Sequence, residues 1–498
     1  MRNILFSTVL CLILASILET DATPSPNKPK SSHSTSQKET SSKNSNITAE
    51  TAGTSSPGND QPVIETFLDT SPKLRVLIMT YRTRVTESHY MFHRKLAELL
   101  VADTENVEKV LLLVSNNGSA NETNEEPPEF DGRLLVWTRI NHAMLKEEHS
   151  SVWDDITKMF LPNGNEVRSI QLEFLTKHPV LIQQLQEFKF NVGVMETSHF
   201  DHSLNLFRAF PTIKKYIGSQ NTSPTIAQWK YLGYDKIVGA MPGKNLARIV
   251  EWDVKHRMDL YFTNIQPFLD FPIVEQEIEQ KRKNTQQNRV NFIGGITMTK
   301  GKVPNLNPDT KQIFESAKDG VVLLSFGSAV EMDDGDERAV SVKNIVVDVF
   351  KQYPQMNLII KWGKRPSSGT VYNKLSENVY AKSWLEQEAI LGGGLKLFIT
   401  HGGQNSINEA VKFSVPIILF PFFGDQYNNA EALAARGVSK VLDIRSKTLN
   451  NDLTEALHEI FNKYSEHKAG MDELSKKMNS VEPAKEFVEK FRQLRKSL

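Results

Sequence analysis

The chain has 498 residues, which is enough for two domains with a hydrophobic core each. Lys plus Arg and Asp plus Glu both number 59, so the formal net charge is +0, and 39% of the residues are hydrophobic. This balance gives no reason to expect a nucleic-acid-binding surface, and the composition is typical of a globular protein with polar loops.

The N-terminus has the pattern of a secretory signal peptide. Met1 to Asn3 include one basic residue, and residues 4–18 form an apolar run that is shorter than a membrane span. We expect cleavage near Ala22, which gives a signal peptide over residues 1–22; an uncleaved anchor is the alternative. Cys11 is the only cysteine and lies inside this segment, so the mature protein would contain no disulfide.

Residues 23–66 are dominated by Ser, Thr, Pro, Lys and Asn and contain few large apolar residues. Such a segment cannot bury enough surface to offset its ordering entropy, so it is predicted to be disordered. Because a signal peptide would direct the chain into the secretory pathway, its N-x-Ser/Thr sequons are candidate glycosylation sites. These sequons begin at Asn46, Asn117, Asn121 and Asn221.

Strands and helices alternate over residues 67–300, which predicts an α/β domain with a mostly parallel sheet. Glu196 stands at the end of the last strand predicted in this half, and a polar surface insertion is expected at 116–129. The predicted strands are 74–79, 110–114 and 192–195, and the predicted helices are 89–101 and 166–188.

A second α/β domain is predicted over residues 301–470. Residues 297–308 are polar and contain proline, as in an interdomain linker, and residues 471–498 are predicted as a C-terminal helical segment. The predicted strands are 321–325, 358–360 and 379–381, and the predicted helices are 310–317, 342–352 and 486–495.

Residues 396–426 combine a strand, a glycine turn, a helix and a second strand. The apolar run 396–400 predicts the first strand, His401-Gly402-Gly403 the turn and residues 404–411 the helix, and strand 416–420 leads to Gly424. A glycine turn at a helix N-terminus aims free backbone N–H groups and the positive end of the helix dipole at one place. That place suits a phosphate, and the carboxyl ends of neighbouring strands are where open α/β sheets bind ligands.

The polar residues around this unit occur in a particular order. Trp384 and Gln387 precede it, Glu409 lies in its helix, and Asp425-Gln426 follow its second strand. From about Ser325 to Leu442 the sequence resembles the UDP-glycosyltransferase family, which includes the animal glucuronosyltransferases, with a looser match over the N-terminal half. The resemblance implies a GT-B fold, in which two Rossmann-like domains face each other across a cleft. The N-terminal one, residues 67–300, would bind the acceptor, and residues 301–470 would bind a UDP-sugar.

The resemblance also implies roles for single residues. Trp384 would stack on the uracil, and Gln387 would bind the base edge or ribose. Glu409 would accept the ribose hydroxyls, although a surface Glu near a helix start is also structurally favourable. Asp425 and Gln426 would bind the sugar hydroxyls, and Asp425 could also cap a helix predicted over 427–436. The diphosphate would be held by Ser325, His401, Gly403 and Asn405.

Two departures from the family pattern concern the loop before the strand. The family has W-x-P-Q where this chain has Trp384-Leu385-Glu386-Gln387, and Gly392 to Gly394 stand near the place of an expected His-Pro. No dense cluster of Asp or His residues indicates a metal site, so metal-independent transfer without a further cofactor is predicted, with His401 stabilising the leaving diphosphate.

The acceptor hydroxyl needs a base, and His89 at the start of the first predicted helix is the candidate. The resemblance places the catalytic His of the family here. Glu196 would fix its tautomer as the family's Asp does, with Asp201 as the rival. The expected reaction is a single displacement with inversion that transfers a hexose or glucuronate to a small lipophilic acceptor.

Several alternatives are open from sequence. The protein could be a non-catalytic UDP-sugar or lipophile binder, or a sugar-nucleotide epimerase on the same fold. A nicotinamide dehydrogenase is disfavoured because no G-x-G-x-x-G follows an early strand. Lys361 and Lys364 are candidate contacts to a glucuronate carboxylate. The chain ends at Leu498 without an apolar run of spanning length, so a soluble lumenal or secreted enzyme is expected; its oligomeric state is not predicted.

Overall fold

The computed structural model divides the chain into two units, Met1–Leu68 and Asp69–Leu498, and all described residues belong to the second. The predicted signal peptide, the segment 23–66, most of the predicted helix 166–188, and Asn46, Asn117, Asn121, Asp201 and Lys364 lie outside the described residues. The described residues are 71–82, 87–116, 134–141, 183, 185–197, 207, 210–224, 226–234, 236–237, 258–283, 290–299, 303, 305–328, 330, 336–363 and 371–498.

The first half forms a sheet of seven described strands in the order β3-β2-β1-β4-β5-β6-β7, and every pairing is parallel. The central strand β4 is buried along its whole length, as strands covered on both faces are. The strands are β1 (Leu74–Arg82), β2 (Val107–Asn116), β3 (Leu134–Asn141), β4 (Val192–Glu196), β5 (Lys215–Gln220), β6 (Leu260–Thr263) and β7 (Val290–Phe292).

Helices connect these strands and cover the sheet. Helix α1 follows β1 and buries Phe92, Leu96 and Leu100 against it, residues that recur on one face of a helix. The described helices of this half are α1 (Glu87–Ala102), α2 (Ile226–Tyr231), the short 3₁₀ helix η1 (Pro267–Leu269) and α3 (Pro272–Lys283).

The second half forms another sheet of seven described strands, in the order β10-β11-β9-β8-β12-β13-β14. Only the edge pair β10–β11 is antiparallel among these pairings. The strands are β8 (Val321–Ser325), β9 (Asn357–Lys361), β10 (Asn373–Ser376), β11 (Val379–Lys382), β12 (Leu397–Thr400), β13 (Ile417–Leu419) and β14 (Ser439–Val441).

The helices of the second half complete a second α/β unit, so the predicted pair of α/β sheets is confirmed. Among the described residues, no helix is both long enough and apolar enough to cross a bilayer. The helices are α4 (Pro308–Ser316), α5 (Glu337–Phe350), α6 (Gln387–Gly392), α7 (Gln404–Lys412), α8 (Asp425–Ala435), α9 (Leu449–Asn462), α10 (Tyr464–Ser480) and α11 (Pro483–Arg495).

The last helix returns to the first sheet. Phe487 and Phe491 of α11 pack on Phe262 of β6, with ring centroids 5.0 and 5.9 Å away. Arg492 reinforces the contact, because its Nε donates to Asp103 Oδ2 over 2.8 Å. The end of the chain thus ties the first half to the helices that follow the second sheet.

The predicted linker is held in place where it is described. The backbone N–H of Thr299 donates to Glu388 Oε1 of α6 over 3.0 Å, and Lys412 Nζ of α7 donates to the Thr299 carbonyl over 2.7 Å. These bonds dock the start of the linker on α6 and α7, the helices on either side of β12 in the chain.

The structure rules out one of the predicted glycosylation sites in the folded protein. The Asn221 side chain is 2% exposed, and its Oδ1 accepts a hydrogen bond of 2.8 Å from Asn264 Nδ2. A glycan attached to Asn221 Nδ2 would have to occupy the filled space around this buried side chain, so the prediction for this sequon is wrong. A sequon is a local pattern and carries no information about burial.

Candidate functional site

The carboxyl ends of the central strands of the second sheet meet at one edge. Thr400 of β12 pairs with Ser325 of β8 on one side and with Leu419 of β13 on the other. The residues that follow these strands therefore share one edge, as the parallel order requires. Ser325 itself and the turn at His401 are brought together there.

The turn after β12 leads directly into helix α7. Gly403 is its N-cap residue, and no side chain caps this end. The first backbone N–H groups of the helix are therefore not satisfied by a capping side chain, which is the arrangement that binds anions at helix N-termini.

In space, the ring of His401 lies against two glycines, Gly403 of the same turn and Gly327 of the turn after β8. A Cβ atom added at Gly403 would lie 2.5 Å from His401 Nε2, and one added at Gly327 would lie 2.7 Å from His401 Cε1. Both values are below any normal carbon contact, so a residue with a side chain at either position would displace the ring. The glycines explain why the imidazole can lie so close to the helix start.

The His401 ring is neutral. Burial lowers its pKa to about 3, and the charge of Lys361 acts in the same direction. Thr400 Oγ1 lies 3.2 Å from His401 Nδ1, so the hydroxyl can donate to Nδ1 and leave the hydrogen on Nε2. In that tautomer Nε2 presents an N–H donor next to the helix start.

Ser325 adds a second group at the same edge. Its side chain is 1% exposed, and its hydroxyl has no hydrogen-bond partner among the described residues. A buried hydroxyl without a partner is costly, so such a group indicates a ligand or water in the working protein. The position at the end of β8 agrees with the predicted diphosphate contact.

Trp384 lies beyond the end of β11 and is 39% exposed, which is high for this residue type. Lys361 Nζ lies 5.1 Å from the centre of its ring and donates to the Gly327 carbonyl over 2.6 Å. The indole is therefore positioned beside the His401 turn and offers a flat surface. Lys361, which the sequence suggested only as a candidate contact to a glucuronate carboxylate, lies between the base-stacking candidate and the Gly327 turn.

Gln387 and Glu409 meet, although they are 22 residues apart. Gln387 Nε2 donates to Glu409 Oε2 over 2.6 Å and lies 3.3 Å from Ser406 Oγ. Burial raises the pKa of Glu409 to about 7, against the hydrogen bond from Gln387, which lowers it. The structure thus brings together the two predicted ribose contacts, with a carboxyl group that changes charge near neutral pH.

The Asp-Gln pair begins helix α8. Gly424 is the N-cap residue and Asp425 the first helical one, with no side-chain cap, so the alternative in which Asp425 caps a helix starting at Tyr427 is wrong. Asp425 Oδ2 instead accepts from Asn429 Nδ2 over 2.9 Å. Gln426 is turned inward, because its Oε1 accepts from the backbone N–H of Phe422 over 2.8 Å. Only its amide NH₂ group is left for a sugar.

Asn405 makes a contact between the two halves. Its Oδ1 accepts from Asn264 Nδ2 over 2.7 Å, and Asn408 Nδ2 donates to the Asn264 carbonyl over 3.1 Å. Asn264 directly follows β6 of the first sheet. The Asn405 oxygen is thus committed to the first half, and its Nδ2 is the group that remains for an anion.

The first half contributes an acid–base pair. His89 Nδ1 on α1 lies 3.0 Å from Glu196 Oε2 at the end of β4. Burial opposes a charge on His89, but the charge of Glu196, the hydrogen bond to it and the charge of Asp425 together raise the pKa of His89. Since Glu196 accepts from Nδ1, the Nε2 atom of neutral His89 is the basic one.

The charge of Asp425, on α8 of the second half, acts on His89 of the first half and is an electrostatic link between the halves. Sequence reasoning missed two residues near this link, Asn264 and His93. His93 had a usable signal, because residues four apart share a helix face. Among the described residues, no group of three or more His, Cys, Asp or Glu side chains could hold a metal ion.

Comparison with known proteins finds similarity mainly over the second half. Residues 281–485 match the family model described as UDP-glucoronosyl and UDP-glucosyl transferase. Human UDP-glucuronosyltransferase 2B17 is 33% identical over 174 residues, which cover 35% of this chain and 30% of that protein. The putative UDP-glucuronosyltransferase ugt-50 of Caenorhabditis elegans is 28% identical over 168 residues, which cover 33% and 31%. The chain thus matches about a third of the length of these relatives.

Solved structures agree over a longer stretch. Arabidopsis thaliana UGT89C1, complexed with quercetin, aligns with a TM-score of 0.59 at 13% identity, over 85% of this chain and 99% of that one. An anthocyanidin 3-O-glucosyltransferase in complex with UDP aligns with a TM-score of 0.57 at 16% identity, over 85% and 98%. At this identity the likeness concerns the fold, which is GT-B. Together with the family match over residues 281–485, it shows that this GT-B chain is similar to the UDP-glycosyltransferase family.

Proposed function

We propose that the protein transfers a hexose or glucuronate from a UDP-sugar to a hydroxyl group of a small lipophilic acceptor, with inversion at the sugar. The observation that carries this proposal is the convergence of two sets of residues. A nucleotide-binding set lies at the edge of the second sheet, and an acid–base pair lies in the first half, with Asp425 close enough to His89 to influence its charge.

The donor side fits a uridine diphosphate part by part. Trp384 offers an exposed ring for the base, and the Gln387–Glu409 pair offers an amide and a carboxylate for the ribose. The uncapped start of α7 and the buried Ser325 hydroxyl suit the diphosphate. Each group has the chemistry that its part of the ligand requires.

The acceptor side fits a hydroxyl nucleophile. In the proposed step His89 Nε2 takes the proton from the acceptor hydroxyl while its oxygen attacks the anomeric carbon. The bond from that carbon to the diphosphate oxygen breaks, and UDP leaves with the electron pair. Glu196 stabilises the imidazolium that forms, which accords with the raised pKa of His89.

The leaving diphosphate develops negative charge close to the second sheet. A neutral His401 contributes an N–H dipole there, since its lowered pKa excludes a full positive charge. The helix start of α7 adds the positive end of its dipole. Preorganised donors of this kind act without a metal ion, and metal-independent transfer is part of the proposal.

The test is turnover by the purified protein. UDP-glucose and UDP-glucuronate are each incubated with a panel of phenols, released UDP is measured, and the product is identified by mass spectrometry. We expect UDP release that requires an acceptor and a glycoside of matching mass, with no loss of rate in the presence of a chelator.

Two other results would change the proposal. Binding of UDP-sugar in calorimetry without any UDP release would indicate the non-catalytic binding protein. Conversion of the UDP-sugar into an isomer without UDP release would indicate an epimerase. Failure of UDP and of both UDP-sugars to bind would remove the proposal altogether.

A further inference from the structure

A second histidine lies directly behind the acid–base pair. His93 follows His89 by one turn of α1 and is 0% exposed. Its Nδ1 lies 2.9 Å from the carbonyl oxygen of His89, 3.2 Å from Thr80 Oγ1 and 3.5 Å from Glu196 Oε2. Its Nε2 lies 2.7 Å from Ser219 Oγ of β5. The ring is therefore held by groups from α1, β1, β4 and β5.

The partners determine which ring nitrogen of His93 carries the hydrogen. A carbonyl oxygen and a carboxylate can only accept, so Nδ1 must be the donor. Burial lowers the pKa of His93, against the charge of Glu196, so the ring is neutral. The single hydroxyl hydrogen of Ser219 is then shared between His93 Nε2, 2.7 Å away, and the Met195 carbonyl oxygen, 2.9 Å away. His93 is thus a fixed neutral dipole with its N–H group directed at the His89 carbonyl and near Glu196.

The Glu196 carboxylate consequently lies near two N–H groups from one helix. Its Oε2 is 3.0 Å from His89 Nδ1 and 3.5 Å from His93 Nδ1. A glutamate side chain has three rotatable bonds and is easily displaced, so a second neighbour restricts where its carboxylate can lie. The same His93 ring also holds the backbone of His89 through its carbonyl.

From this geometry we infer that His93 is a positioning residue for the acid–base pair. This inference rests on the proposed function, since His89 is the base only if the protein is a transferase. His93 is 0% exposed, so it would touch neither donor nor acceptor. It keeps the Glu196 oxygen against His89 Nδ1, which leaves His89 Nε2 free of hydrogen and directed to the nucleophile.

A packing role for His93 makes a different prediction, and two substitutions separate the roles. His93→Leu keeps apolar volume beside Phe92, whose ring lies 5.1 Å from that of His93, and removes both ring nitrogens. His93→Asn loses volume, but its amide nitrogen can take the place of Nδ1. If His93 only fills space, the Leu variant should be the more active. If His93 positions the acid–base pair, the Asn variant should be the more active.

The experiment measures kcat and KM of both variants with a UDP-sugar and a phenol. We expect His93→Leu to lower kcat about 10–100-fold, because an error of about 1 Å in the geometry of a base has that effect. The KM for the UDP-sugar should change less than about twofold, since the donor site is on the other half, and His93→Asn should recover most of kcat. A folded His93→Leu variant with wild-type kcat, or one more active than His93→Asn, would overturn the inference.

A spectroscopic measurement keeps this inference separate from the proposed function. Nitrogen-15 chemical shifts of labelled histidines report which ring nitrogen of His89 carries the hydrogen. We expect one tautomer, with hydrogen on Nδ1, in the wild-type protein and a mixture in His93→Leu. If the wild-type protein transfers no sugar, the proposed function fails, while this measurement still decides whether His93 positions His89. If His93→Leu does not fold, Ser219→Ala, which removes the Nε2 partner, should produce a smaller change of the same kind; an unchanged His89 spectrum there would contradict the inference.

Discussion

Single residues in the site have environments that set their charge. His401 is neutral and Glu409 has a pKa of about 7, in both cases chiefly because burial disfavours the charged form. His89 is the opposite case, because the Glu196 carboxylate outweighs burial and raises its pKa. The family resemblance predicted Glu196 as the partner of His89, but it predicted neither the contact of Glu409 with Gln387 nor these charge states, since burial depends on the whole fold.

Trp384 provides the first prediction at this scale. We expect Trp384→Ala to weaken UDP binding by about 1–3 kcal/mol, because stacking of a base on an aromatic ring contributes that amount. Trp384→Phe is the matched control and should keep most of the affinity. Calorimetric titration with UDP measures both. Equal affinity of the Ala variant and the wild-type protein would mean that the exposed indole is not the base platform.

Glu409 provides a prediction about pH. An ionised carboxylate accepts both ribose hydroxyls, and a pKa of about 7 means that Glu409 gains a proton as the pH falls through neutrality. We expect UDP-glucose to bind about tenfold more weakly at pH 6 than at pH 8, the effect of one linked proton. In Glu409→Gln, which cannot ionise, the pH dependence should largely disappear. A wild-type affinity that is flat over this range would contradict the assignment.

At the scale of elements, the sequence predicted some of the strands and missed several short ones. Strands β8 and β12 are apolar runs that end at a turn, and both were found within a residue or two. Strand β6 has four residues and β14 has three, and neither was predicted. Because β6 was missed, Asn264 at its end was missed too, and with it the contact between the halves.

Helix α11 provides a prediction at this scale. Phe491 is buried against Phe262 and Phe487, so Phe491→Ala should leave a cavity and destabilise the first half by about 3–5 kcal/mol. Gln493→Ala, an exposed change on the same helix, should cost less than about 0.5 kcal/mol. Urea denaturation followed by fluorescence compares the two. Similar midpoints for both variants would show that α11 does not stabilise the first sheet.

At the scale of the whole molecule, the strand–helix alternation predicted two parallel sheets, and both are present. The alternation could not predict that α11 returns to the first sheet, because that contact joins residues more than 200 positions apart. It also could not show that Asn221 is buried. Contacts between distant parts of the chain depend on the packed structure and leave no local pattern.

The central claim is that both halves form one transferase site, with a UDP-sugar held by the second sheet and His89 as the base. The most direct test compares wild-type protein with His89→Ala in two measurements, turnover and calorimetric binding of the UDP-sugar. We expect the variant to lose about 10²–10⁴-fold in kcat, the usual contribution of a general base, and to bind the UDP-sugar as tightly as wild type. Equal turnover of the two proteins, or no binding of the UDP-sugar by either, would contradict the claim.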